Sequence, residues 1–195
     1  MYDEHQVIIY FAHGKESGPR GSKIQRLAAI ARRHGCAVES VDYRETLDPD
    51  ERVAKLCALR PTSPGKLVLV GSSMGAYVST VASATLQPDG LFLLAPAFYL
   101  PGYRDSDPTP HCPHTEVVHG WNDSVVPVEH ALRFARRHQL AALHILPGDH
   151  RLIDVLPAVE TLFEGFLAHV LAGPRTDGRP DTAHTAGLPG SPSTS

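Results

Sequence analysis

Short apolar runs and helix-period patterns alternate along almost the whole chain. Val7-Ile8-Ile9-Tyr10-Phe11 reads as a buried strand, because four to eight consecutive apolar, largely β-branched or aromatic residues suit a strand covered on both faces. A helix is predicted at about 22–34, with Ile24, Leu27, Ala28 and Ala31 on one face, Ser22 and Gln25 spaced as a capping box, and Gly35 placed to stop it. A second strand follows around Ala37–Val41. The next helix opens at Asp48-Pro49 and turns Val53, Leu56 and Cys57 inward. Lys66-Leu67-Val68-Leu69-Val70 is a third strand, leading into a helix that runs to about Leu86. Leu91–Leu94, Thr115–His119 and Leu143–Leu146 supply three more strands. Pro127 opens the helix between the last two, and a final helix carries Leu162, Phe163, Phe166, Leu167 and Val170 to Gly173. Six strands alternating with helices imply an α/β domain: a parallel sheet covered on both faces and joined by right-handed crossovers.

Two segments break this rhythm. Residues 96–114 are rich in Pro and Asp and stand where a helix would fit, as either a surface loop or a small lid. Residues 174–195 are Pro, Gly, Ser and Thr with few apolar side chains, the composition of a flexible tail beyond a domain at 1–173.

Composition narrows the class further. At 195 residues, 42% hydrophobic and 20% charged, the chain suits one well-buried core. A net charge of −3 without a basic stripe argues against nucleic acid as a partner. Cys36, Cys57 and Cys112 are widely spaced and form no metal or redox signature, which fits a reducing, cytoplasmic setting. No apolar run reaches the length of a membrane span and the first residues lack a signal-peptide pattern, so no membrane partner is expected.

The chemistry concentrates at strand ends. Gly71-Ser72-Ser73-Met74-Gly75 falls between a strand and a helix, the setting in which Gly-x-Ser-x-Gly makes a nucleophile elbow. An activated serine needs a base, a group to orient that base, and donors for an oxyanion. In open parallel sheets such groups gather beyond the carboxyl ends of strands. Three further loops qualify: Ala12-His13-Gly14-Lys15, Gly120-Trp121-Asn122-Asp123 and Pro147-Gly148-Asp149-His150. Asp149 adjoins His150 too closely to orient it and reads as a turn residue, while His13 and His119 precede glycines and read as packing under their loops. His111, Cys112 and His114 match no familiar zinc spacing.

These motifs carry a resemblance. His13-Gly14 after the first strand, Gly71–Gly75, His119-Gly120-x-x-Asp123-x-x-Val126-Pro127 and Gly148-Asp149-His150 resemble the α/β-hydrolase superfamily over Val7–Gly173, and the chain is similar to its small bacterial esterases. The resemblance implies a single-domain three-layer sandwich with six mostly parallel strands in the order 2-1-3-4-5-6. It implies Ser73 as nucleophile, His150 as general base and Asp123 as its orienter, in the superfamily's chain order. The backbone N–H groups of Met74 and, by family position, Lys15 become the oxyanion donors. Neither metal nor cofactor is required.

His13, Phe98, Tyr99 and Tyr103 are candidate substrate contacts, the three aromatic residues doubling as candidate anchors of the 96–114 loop. Lys15, Arg20, Arg104 and Arg151 fall near the expected mouth and raise a preference for acidic substrates. The leading expectation is hydrolysis of a small-molecule ester or thioester through an acyl-serine. The alternatives are acyl transfer with the same triad and a non-catalytic binding protein on the same fold. A flavodoxin-like nucleotide binder lacks its phosphate loop here.

Overall fold

The computed structural model describes residues 7–63, 65–139 and 141–173. The tail expected at 174–195 lies outside these. Six parallel strands form one sheet in the order β2-β1-β3-β4-β5-β6. They are β1 (Ile8–Ala12), β2 (Ala37–Val41), β3 (Leu67–Ser72), β4 (Gly90–Leu94), β5 (Thr115–Gly120) and β6 (Ala141–Leu146). Five helices cover it: α1 (Ser22–Arg33), α2 (Pro49–Ala58), α3 (Met74–Leu86), α4 (Val128–Arg137) and α5 (Leu156–Ala172). The strand order and the helices on both faces agree with the expectation. β4 runs into the 95–114 segment, which forms no helix.

The period-two alternation of strand side chains divides the core in two. Val68, Val70, Phe92 and Leu94 point with Ile9 and Phe11 toward α1 and α5, where Leu27, Ala31, Phe163 and Phe166 are buried. Leu67, Leu69, Leu91 and Leu93 point the other way, onto Leu56 of α2, Tyr77 and Ala82 of α3 and Phe134 of α4. β3 is buried along its whole length, as its unbroken apolar run requires. α3, central on its face, is buried on nearly every side.

Helix ends mostly follow the sequence signals. Asp48 caps α2, its side chain accepting from the N–H groups of Asp50 and Glu51 at 2.7 and 3.1 Å. Gly35 stops α1 at φ +76°, a conformation glycine adopts without strain. The capping box at Ser22 does not form. Gly21 occupies the cap and Ser22 is already helical, because a turn closed by Gly21 N–H to the Gly18 carbonyl starts the helix one residue early. The buried ammonium of Lys66 donates to the Val170 and Gly173 carbonyls and so closes the end of α5.

The register Ala12↔Gly71 and Ser72↔Leu94 brings the carboxyl ends of β1, β3 and β4 level. The loops after β1, β3, β5 and β6 therefore meet above one end of the sheet.

Candidate active site

Ser73 stands at the strand-to-helix corner with φ +56° and ψ −118°, a region few residues with a side chain occupy. The surrounding structure enforces it. Ser73 N–H donates to the Leu94 carbonyl at 2.8 Å, and its own carbonyl accepts from Ala76 N–H at 3.0 Å and Ala97 N–H at 3.2 Å. The flanking glycines are required by contact: a Cβ on Gly71 would lie 2.4 Å from the Ala76 Cα, and one on Gly75 2.0 Å from the Ala12 carbonyl oxygen.

The imidazole of His150 bridges Ser73 and Asp123. Its Nδ1 donates to Asp123 Oδ2 at 2.7 Å, since a carboxylate offers only acceptors, which leaves Nε2 to accept the Ser73 hydroxyl at 2.9 Å. Gly120 lets the Asp123 and His150 loops touch, because a Cβ there would fall 2.4 Å from the Gly148 carbonyl oxygen. Asp149 shapes its turn by accepting from the N–H groups of Arg151 and Leu152 at 2.9 and 3.0 Å.

Asp123 is fully engaged. Oδ1 accepts from Val125 N–H and Val126 N–H at 2.9 and 2.8 Å, and Oδ2 holds His150. Burial alone would push its carboxyl upward, but the His150 hydrogen bond and the two backbone donors outweigh it and hold it below the ordinary carboxylate value. His119 also approaches Oδ2, at 3.3 Å, while its Nε2 donates to the Val126 carbonyl at 3.0 Å. Burial lowers the pKa of this imidazole below its ordinary value, favouring the neutral form, which offers a donor near the carboxylate without adding charge.

Met74 begins α3, where a helix leaves its first N–H groups without an intrahelical acceptor. Across the cleft, the His13-Gly14-Lys15 turn is fixed from beneath. The buried His13 ring accepts Tyr43 N–H on Nε2 at 3.0 Å and donates from Nδ1 to the Gly14 carbonyl at 2.8 Å. Arg52 of α2, 0% exposed, donates Nη1 to the His13 and Gly14 carbonyls at 3.2 and 3.3 Å and Nε to the Thr46 carbonyl at 3.0 Å. A trans peptide sets its C=O and N–H on opposite sides. Pinning the Gly14 carbonyl to Arg52 and His13 therefore turns the Lys15 N–H away from them. Sequence reasoning missed Arg52. The only sign of it was a basic residue one position before the inward Val53, on an otherwise amphipathic helix.

A cleft of about 960 Å³ opens over Ser73 and His150, lined also by Met74, Lys15, Lys23 and Tyr103. Of the candidate substrate contacts, Tyr103 reaches the cleft and packs edge-on against Tyr77 at 4.6 Å. Phe98 does not: it is buried on Phe134 with ring centroids 4.6 Å apart. Tyr99 is half-buried against the core, beneath the Arg133 guanidinium at 3.8 Å, and does not line the cleft. His13 also lines the cleft, but its side chain is fully buried with both ring nitrogens occupied, a loop-holding position. Lys15 and Arg151 line the mouth, whereas Arg20 and Arg104 are not among the lining residues. The 95–114 segment is tied to the body at several points: Asp105 N–H to the Tyr77 hydroxyl at 3.1 Å, His111 N–H to Ser83 Oγ at 2.9 Å, and Asp107 to Arg137 at 2.7 Å. Among the described residues no group of three or more His, Cys, Asp or Glu side chains is placed to hold a metal ion, and no helix is long and apolar enough to cross a membrane.

The model of the "Uncharacterised protein family (UPF0227)" matches residues 7–104. Among solved structures, a protein of Xanthomonas campestris pv. campestris assigned to the α/β-hydrolase superfamily is 27% identical with a TM-score of 0.76, the match covering 85% of this chain and 99% of that one. An α/β serine hydrolase without a lid from Xanthomonas campestris shares 22% identity at a TM-score of 0.71, covering 89% and 86% of the two chains. An α/β serine hydrolase homologue from Coxiella burnetii shares 21% at 0.69, covering 86% of each. The latter two likenesses are of fold alone. The fold is that of the α/β-hydrolase superfamily. No curated protein matches the chain in sequence.

Proposed function

This chain belongs to the uncharacterised protein family UPF0227, and we propose that it is a serine hydrolase that cleaves a small ester or thioester through an acyl-Ser73 intermediate. The observation that carries the reading is the unbroken line from Asp123 Oδ2 through both His150 nitrogens to Ser73 Oγ, at 2.7 and 2.9 Å.

Ser73 Oγ attacks the substrate carbonyl while His150 Nε2 takes its proton, and the carbonyl electron pair moves onto oxygen. Asp123 stays ionised and stabilises the imidazolium. The N–H groups of Met74 and Lys15 hold the oxyanion, each worth roughly 2.7–4 kcal/mol in such sites. As the tetrahedral adduct collapses, the imidazolium proton goes to the leaving alcohol or thiol. Water then repeats the sequence on the acyl-enzyme and releases the acid. The open cleft and the tied-down 95–114 segment favour small substrates over bulky lipids.

A fluorophosphonate probe tests this directly. Labelling is expected on Ser73, absent in Ser73→Ala and strongly slowed in His150→Ala. Turnover of short-chain activated esters should fall by about 10⁴-fold or more in either variant. A folded protein that neither labels at Ser73 nor turns over such esters would refute the proposal.

A further inference from the structure

The cleft over Ser73 has two chemically different walls. The charged side chains lining it are Lys15, Lys23 and Arg151 against one carboxylate, Glu16. Lys15, Glu16 and Arg151 are exposed, the ordinary condition of a solvated surface charge. Lys23 is different. It sits half-buried in the first turn of α1, and among the described residues its ammonium makes neither a hydrogen bond nor an ion pair. Burial lowers its pKa to about 8, with Asp149 and Asp123 opposing that and Arg151 adding to it. A partly desolvated cation without a hydrogen-bonded counter-charge is costly, and an anion arriving in the cleft removes that cost.

The opposite wall is apolar. Leu47, Leu100, Pro101, Tyr103 and Val125 line it, and Leu47 and Val125 are each 59% exposed. These residues come from segments leading into α2 and α4 and from the connection packed on α3. Those helices cover one face of the sheet. Lys23 lies on α1 and Arg151 just before α5, which cover the other face, with Ile153 as an apolar outlier on that side. Ser73 stands at the sheet's end between the two walls.

We propose that the substrate is an ester or thioester carrying a carboxylate on one side of the scissile bond and an apolar group on the other, with Lys23 binding the carboxylate. This rests on the Ser73 hydrolase reading and narrows it to a substrate class. Lys23 supplies the half-buried contact that decides the preference, while Lys15 and Arg151, also lining the cleft, add positive potential to the exposed approach.

The test uses two pairs of matched esters on the full-length protein. In one pair a terminal carboxylate or its methyl ester sits on the acyl chain; in the other it sits on the leaving alcohol. In at least one pair the wild type is expected to favour the charged member by tenfold or more in kcat/KM. Lys23→Met should bring that ratio close to one, and Lys23→Arg should keep most of it. Any step that both members of a pair share cancels in the ratio, and the carboxylates Glu16 and Asp149, which oppose the charged member alone, are present equally in the wild type and in Lys23→Arg. Raising the pH from 7 to 9 should lower the ratio in the wild type, as Lys23 loses its proton, and much less in Lys23→Arg. Ratios near one in both pairs, with Ser73 labelled and neutral esters hydrolysed, overturn this inference alone. A preference that survives Lys23→Met overturns the role of Lys23. Absence of both labelling and turnover brings down the hydrolase reading and this inference with it.

Discussion

Arg52 is the residue whose placement departs most from its chemistry. A guanidinium 0% exposed and bonded to three carbonyls would ordinarily be replaced by an apolar side chain unless its donors were needed. Here they aim the peptide that presents the Lys15 N–H. Arg52→Met should lower kcat on a neutral ester by about 10–100-fold, less than outright loss of an oxyanion donor, because the loop would loosen rather than vanish. KM should change little, and Arg52→Lys should recover part of the loss. Steady-state kinetics with thermal melts of each variant check this. A variant that melts earlier yet keeps its kcat would make Arg52 structural only. The hydrogen-bonded set of Ser73, His150 and Asp123 was legible from the sequence because each stands just beyond a strand's end, in a fixed order and within three residues of a glycine. Arg52 was not, because an arginine's usual place is solvent and two of its three partners, the His13 and Gly14 carbonyls, belong to a loop brought near by the β1–β2 pairing.

Among the elements, the corner between β3 and α3 is set by backbone contact and should tolerate no side chain. A methyl on Gly75 would press on the Ala12 carbonyl group and His13 oxygen at 2.0–2.8 Å, all of them backbone atoms that cannot swing aside. Gly75→Ala should therefore destabilise by at least the roughly 1–3 kcal/mol typical of core overpacking. Gly165, exposed in α5, is the counterpart: a Cβ added there would meet nothing within 4 Å. Gly165→Ala should stabilise by about 0.5–1 kcal/mol through helix propensity alone. Urea unfolding of the two variants checks both signs, and equal effects would remove the steric argument. The strands were readable because each is an apolar run bounded by turn residues. The 95–114 segment was not. Its Pro and Asp content shows no period, and whether Phe98, Tyr99 and Tyr103 face the cleft or the body depends on Phe134, Arg133 and Tyr77, far away in sequence.

For the molecule as a whole, the site imposes a dependence of stability on pH. His13 and His119 are both fully buried, and burial lowers each below the ordinary value of 6.5. An unfolded chain would take up protons at these positions near that value, while the folded chain would not. Their contribution is therefore complete above pH 6.5 and is lost as pH falls toward the folded pKa values, each at up to about 1.4 kcal/mol per pH unit. Asp123, held below its ordinary 3.8, adds a second loss only in the more acidic range below that value. His114 and His138 are shifted the same way but are partly exposed, so their share is smaller. Urea unfolding followed by circular dichroism between pH 7.5 and 4.5 should show stability falling from about pH 6.5 downward. His119→Gln keeps a donor toward Val126 but cannot titrate, so its curve should be shallower by one histidine's share. An unchanged slope in that variant, or a flat profile down to pH 5, would mean that these imidazoles do not stay neutral in the folded protein. The neutral donor proposed to lie behind Asp123 would then have to be read as a cation.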